Sequence, residues 1–542
     1  MKKLFKIIFL LLTLVPFYAC QDQLDIQNPN QPTPESAKTE RGIISFAQGG
    51  VYVNGFYSLK FVDGVPGRFW TGAVGYHELM GDIIGVEAAN TFMNQLAMPD
   101  LVTLDDGTQV PNPQNPPKHK DLIKAINTNA NQGSNPLFHE WAYMYAMNNA
   151  CNVTLSLVDD VEFSGDAAVK RGVIKAWAYF WKGFAYSRIG SMYYAGIVNN
   201  DGLSTNGDYV SNQDVLLEAE VNFAKAEAEL ASLSSGGEYD VTLGSLIPNI
   251  NQVGKGGILT PDMWRRNINT LRARNILVNT KSATMTGAQW SQILTLTTNG
   301  IQSTDKTFTL RSNANGDIMS SSSGNIPSKT FGTSPQGGTY KVSERLIQDF
   351  KPGDQRLANN FQQGTAWLGN SDRGNSFNTR WALRNGGAGL SGVVVMCDRT
   401  DGGYELYTVG FYEENELMKA EALINGAGSI DAGLAIIDNI RSLQGAGLAA
   451  TSGTGLTQAQ AREELRRERR VALAFRGFAF YDARRWGVIA NGRTGAVVVN
   501  KNGVVSTNAT IQYNFLDYWD VPDNELVYNI PSASSVPVKN PN

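Results

Sequence analysis

The chain has little of what hydrolases and metalloenzymes use for chemistry. Only three histidines occur in 542 residues. His77, His119 and His139 stand too far apart for a metal-binding helix, and no H-E-x-x-H is present. No G-x-S-x-G occurs either. Gly254-Lys255-Gly256 imitates half of a phosphate loop, but Asn249 takes the place of the first glycine and Gly256 that of Ser/Thr. Charged residues are scarce at 18% and the net charge is −4, which argues against nucleic acid or an anionic membrane as the main partner. Cysteine is scarce too: beyond Cys20 there are only Cys151 and Cys397. Free buried thiols are favoured for these two, with one long-range disulfide as the alternative. After the leader no run of eighteen apolar residues exists, so no transmembrane helix is expected in the mature chain.

The leader itself is informative. Lys2, Lys3 and Lys6 form a short basic region, and residues 7–17 form an apolar run too short to span a bilayer, which needs ~20 residues. Ala19-Cys20 ends it in the manner of a lipoprotein signal peptide, although Phe17 and Tyr18 are bulky for such a site. Residues 1–19 are therefore expected to be removed and Cys20 to be acylated, with 20–40 as a polar tether.

The body of the chain alternates between helix patterns and loops. Residues 51–104 carry glycines at 55, 64, 67, 72, 75, 81 and 85 that interrupt long helix, so Phe69, Trp70, Tyr76 and His77 are expected to be exposed aromatic groups. Residues 105–136 read as loop because of five prolines at 111, 113, 116, 117 and 136. Strong helix patterns follow at 141–158, 172–192, 214–230 and 262–278, with a paired helix around Trp290. Their alternation of Ala or Gly with large aromatics suits interlocking helix pairs of the tetratricopeptide kind. The Asn/Asp/Gly loop at 199–211 has the composition of a calcium loop but lacks its acidic end residue, so neither a structural calcium ion nor any cofactor is predicted. From about 306 to 403 helical periodicity vanishes and single aromatics stand among Gly, Ser and Asn, as in ordered functional loops.

The densest signal is Ala461–Gly487. Leu465, Ala472, Phe475, Ala479 and Trp486 recur at helical spacing, and five arginines at 462–470 face three glutamates, which reads as a core helix with an ion-paired edge. Its E-R-R-x-x-L-A-F-x-G and D-x-R-R-W-G elements resemble the C-terminal signature of the SusD/RagB family of outer-membrane nutrient-binding lipoproteins. The N-P-N-x-P-T at 28–33, the helix 411–423 (FYEENELMKAEAL) and that at 430–443 are similar to further family patterns. One departure is visible: Ala472, Arg476 and Ala479 stand where the family commonly has Glu, Glu and Arg, which implies loss of a local ion pair.

The resemblance implies a mainly α fold, a tetratricopeptide-like helix-pair scaffold with a loop-rich ligand-binding half. It divides the chain at 41–300 and 301–542, packed as one globular unit. It implies capture of an oligosaccharide at the cell surface and delivery to a SusC-like TonB-dependent transporter, with lipid anchoring to the outer membrane. A peptide-binding relative of the RagB kind is the alternative. A glycoside hydrolase would need two carboxyls ~5–9 Å apart. Asp82 with Glu78, Asp105 with Asp106 and Glu413 with Glu416 are the candidates, against a non-enzymatic reading; an adhesin is the third class. Sugar rings present apolar C–H faces to flat aromatic groups, while polar side chains fix the hydroxyls. The expected ligand contacts are Trp70, Tyr76, Trp367 and Trp381, with Asp82, Asn94, Arg373 and Arg380. Trp141, Trp177, Trp181, Trp264, Trp290 and Trp486 are assigned to packing.

Overall fold

A computed structural model describes residues 37–56, 69–86, 92–311, 340–367, 378–398, 400, 402–500 and 502–542. About half of the chain is helical, and several of the long helices begin where the sequence supplies a cap. Asp166 accepts the N–H groups of Ala168 and Val169 to open Ala167–Met192, and Thr260 with Pro261 opens Pro261–Val278. Thr286 with Gln289 and Thr457 with Gln460 form capping boxes.

The scaffold runs through α1 (Glu40–Tyr52), α2 (Gly75–Met80), α3 (Phe138–Leu157), α4 (Ala167–Met192), α5 (Asn212–Ala231), α6 (Gly237–Leu246), α7 (Pro261–Val278) and α8 (Gly287–Thr298). It continues through α9 (Tyr412–Ala422), α10 (Ile430–Leu443), α11 (Gln458–Ala472) and α12 (Ala479–Arg485). Packing passes from α3 to α4 and α5, then α7, α8, α9, α10 and α11, so neighbours in the chain are mostly neighbours in space. Small residues make this possible. A Cβ at Gly183 would lie 2.6 Å from the Phe223 ring, and one at Gly50 would lie 2.7 Å from the Ala150 Cβ. Against the close-packed backbones lies a cluster of Trp177, Phe180, Trp181 and Trp264, closed by Phe308 at centroid distances of 5.3–5.5 Å. Each such buried ring contributes on the order of 2–3 kcal/mol.

The strands are short. β1 (Ile84–Val86) pairs antiparallel with β4 (Tyr340–Val342), and β5 (Phe361–Trp367) with β6 (Thr379–Leu383). A four-stranded sheet joins β2 (Leu101–Thr103) and β3 (Gln109–Pro111) to β7 (Arg493–Val499) and β8 (Val505–Gln512), in the order β7-β8-β2-β3. Residues 101–111 are thereby hydrogen-bonded to strands near the C-terminal end of the chain.

Three expectations are corrected. The 105–136 segment is not all loop, because His119–Ile126 is helical and buries His119, Leu122, Ile123 and Ile126. Residues 69–80 are helical, and Phe69, Trp70, Tyr76 and His77 are buried. Glycines here serve close approach: a Cβ at Gly75 would lie 2.6 Å from the Tyr340 hydroxyl, and one at Gly81 would overlap Ala479. Residues 461–487 are two helices, interrupted at 473–478, where Phe475 takes φ 66° and Gly477 φ 83°. Cys151 and Cys397 are free and buried.

Candidate functional site

Three of the candidate contacts converge on one corner. The turn after β4 supplies Ser343, Glu344 and Arg345. Asp82, just before β1, accepts the Ser343 hydroxyl (2.9 Å), Arg345 Nη2 (2.7 Å) and the Tyr513 hydroxyl (2.6 Å). Burial alone would raise the Asp82 pKa, but the Arg345 guanidinium overrides it and holds the carboxyl well below its ordinary range. On the other side of the turn, Arg380 donates its backbone N–H (2.7 Å) and Nη2 (2.8 Å) to Glu344. The hydrogen bond that Arg380 donates to Glu344 raises the Arg380 pKa, with the Coulombic pull adding to it. Trp381 follows on β6, opposite Gln363, half-buried against the main core, and its indole N–H has no acceptor among the described residues. The β5–β6 ladder pairs Trp367 with Thr379; the Trp367 side chain, Arg373 and Cys20 lie outside the described residues.

The remaining candidates sit elsewhere. Trp70 is 4% exposed and stacks on Phe56 at 5.7 Å. Tyr76 is 1% exposed beside His139 and Trp519, and Asn94 is 3% exposed in the helix Met93–Leu96. None presents a face to a ligand in this structure. Their loop-like sequence misleads because the glycines around them fit tertiary contacts, not turns. Asp82 is likewise enclosed and committed to the Arg345 brace.

The signature stretch is a charge lattice. Glu468 holds Arg356 (2.6 Å) and Arg441 (2.8 Å), while Asp482 holds Arg469 (2.9 Å) and Arg485 (2.8 Å). Arg485 reaches on to Glu421 at 2.5 Å, and Asp349 takes Arg466 and Arg470. None of these pairs involves Ala472, Arg476 or Ala479. Arg476 instead lies over the rings of Tyr407 (5.0 Å) and Tyr404 (5.4 Å), a cation–π arrangement. The break at 473–478 is filled by Glu78, which accepts the N–H groups of Phe475 (2.9 Å), Gly477 (2.9 Å), Phe478 (3.0 Å) and Ala479 (3.3 Å). Burial pushes its carboxyl up to about 7 against the pull of those donors.

Among the described residues a large concavity lies at this C-terminal face. A cleft of about 970 Å³ opens between the start of α8, the end of α9, α11 and residues 484–491. Trp290, Met285 and Leu465 are buried in its wall, and Trp486, assigned to packing, is only half-buried there. Gly487 at φ 78° ends α12 and turns the chain immediately after that indole. A tryptophan preceding a helix-ending glycine was the signal available for it in the sequence.

Residues 412–541 match the model of the SusD family. No curated protein matches the sequence. Among solved structures, a SusD-like protein of Bacteroides fragilis is similar at 14% identity, over 94% of this chain and 98% of that one, with a TM-score of 0.57. A SusD superfamily protein of Parabacteroides distasonis is similar at 13% identity over 92% and 98%, TM-score 0.57. Surface glycan-binding protein A of Bacteroides fluxus is similar at 13% identity over 92% and 99%, TM-score 0.54. At such identities the solved structures establish the mainly α, SusD-like fold, and the signature residues carry the rest. The SusD family match thus covers the C-terminal part of the chain, and the SusD-like fold extends along its length.

Proposed function

We propose that this protein captures an oligosaccharide at the surface of the outer membrane and delivers it to a SusC-like TonB-dependent transporter, without catalysing a reaction. The observation that carries the reading is the shared fold with a surface glycan-binding protein over 92% of this chain. Cys20 is the proposed lipid anchor, and among the described residues no helix is long and apolar enough to cross a membrane. Ligand contact is assigned to the β5–β6 corner, with Trp381 stacking on a sugar ring and Arg380, oriented by Glu344, reaching hydroxyls. Trp367 and Arg373 complete the proposed set, and Asp82 braces the turn beneath it. Of the carboxylate pairs first considered for hydrolysis, Asp82 and Glu78 are both buried and committed to internal donors, which supports binding over catalysis at that pair.

Detergent-solubilised protein is expected to co-purify with a large TonB-dependent barrel. Titration with neutral oligosaccharides is expected to show binding that Trp381→Ala weakens on the order of tenfold, the worth of one stacked ring. Release of sugar from polysaccharide with no barrel attached would overturn the reading.

A further inference from the structure

The cleft behind the signature helices holds charge that its surroundings do not neutralise. Lys120, Lys281 and Arg462 line it, and none has a carboxylate within ion-pair distance among the described residues. Arg462 meets only the side-chain oxygen of Asn425, at 2.7 Å. Arg484, 4% exposed, donates to the carbonyls of Ser191 (2.8 Å), Asp517 (2.9 Å) and Val278 (2.9 Å) and lies 4.2 Å from the Tyr518 ring centroid, again with no anion. The carboxylates of the wall are mostly spent. Glu421 is taken by Arg485, and Glu463 by Arg466 and Arg467. Asp517 accepts from the Tyr518 N–H and the Asn540 amide and is left alone against four cations.

A second observation points the same way. A small pocket of about 20 Å³ shares Arg466, Trp486 and Ile489 with the cleft and adds Arg470 and Arg493. Arg493 has no carboxylate within ion-pair distance among the described residues, and lost hydration together with the adjacent Arg470 lowers its pKa. In a chain of net charge −4, such a local excess of cations concentrates an anionic ligand from solution.

We propose that this cleft is a binding site for an acidic oligosaccharide, with its carboxylate or sulfate groups against the exposed Lys281 and Arg462 and a sugar ring against Trp486. The indole is backed by the Arg485 guanidinium at 4.4 Å from its ring, which stiffens a flat half-exposed face. Asn425 and Asn491 supply amides for hydroxyl groups, and the volume suits a ligand of a few sugar units. The choice of a sugar as occupant rests on the glycan-capture reading; the site is separate from the Trp381 corner.

The test is calorimetric titration of the full chain in detergent with tetragalacturonate, a heparin tetrasaccharide and tetraglutamate. At least one acidic sugar is expected to bind. Its affinity is expected to fall on the order of tenfold or more between 50 and 500 mM salt, because the Debye length shrinks. A similar loss is expected in the double variant Lys281→Glu/Arg462→Glu. Both side chains are exposed, so thermal melting should be unchanged in that variant. Trp486→Ala is expected to weaken the sugar and leave the salt dependence in place. Failure of both acidic sugars to bind, binding indifferent to the double variant, or tetraglutamate binding as tightly as either sugar would each overturn the proposal. Co-purification with a transporter does not depend on this cleft, so it reports on the capture reading separately.

Discussion

The carboxylate of Glu78 accepts the backbone N–H of Phe475 at 2.9 Å, across 397 residues of chain. That contact explains why the signature stretch is not one helix. Past Ala472 the backbone donors turn to a side-chain acceptor, Phe475 and Gly477 adopt left-handed conformations, and the same carboxylate receives the first N–H groups of α12.

Replacing Glu78 should therefore unfold more than its own helix. Glu78→Ala leaves buried N–H groups without an acceptor and is expected to cost about 3 kcal/mol or more. Glu78→Gln keeps one acceptor oxygen but turns an amide toward Phe475, for about 1–3 kcal/mol. Urea titration of both variants separates them; equal stability to the parent would show the loop held by other contacts.

Arg485 lies between Glu421 and Asp482 with its side chain fully enclosed. Glu421→Ala is expected to cost about 3–5 kcal/mol, since it strands half of a buried charge arrangement. Paired replacement of Glu421 and Arg485 by apolar residues should cost less than the single change. A double-mutant cycle on melting free energies checks the difference.

The same lattice predicts acid sensitivity. Burial alone would raise Glu468, Asp482, Asp349 and Asp82, but their guanidinium partners hold all four below the ordinary 4.5 of glutamate and 3.8 of aspartate. A depressed folded pKa gives stability that is present above the unfolded value and is lost as pH falls through the folded one. Glu78, raised to about 7, has the opposite sign: its contribution is full below 4.5 and declines as pH rises toward 7. Calorimetric melting should thus show a steep loss below about pH 4, and Glu78→Gln should flatten the slope between pH 5 and 7.

The two tryptophans first paired as ligand contacts should part company. Trp70→Ala is expected to lower stability by about 3–5 kcal/mol, because it empties space against Phe56 and Phe69. Trp381→Ala, at the half-buried edge of the β5–β6 sheet, should cost less stability and weaken neutral-sugar binding on the order of tenfold. Parallel melting and binding titrations distinguish them.

Cys151 should be inert. Burial pushes its thiol pKa up to about 12, so the thiolate needed for reaction is scarce at neutral pH. A thiol reagent is expected to label this position only after denaturant is added, as read by mass spectrometry of the labelled peptide.

Helices such as Ala167–Met192, Pro261–Val278 and Tyr412–Ala422 were legible in the sequence, because apolar spacing, caps and helix-forming composition act within a few residues of one another. The signature residues were legible for the same reason, and with them the family resemblance. What surrounds Trp70, Asp82 and Trp486 was not. Glycines that look like turn formers at 75 and 81 admit Tyr340 and Ala479, which arrive from hundreds of residues away. The sequence by itself determined most of the long helices, their charged edges and the family resemblance. Only the tertiary structure decided that Trp70 is core, that Glu78 splits the signature in two, and that Trp486 stands in an unneutralised cationic cleft. Burial and net local charge are sums over distant segments, and no local pattern encodes them.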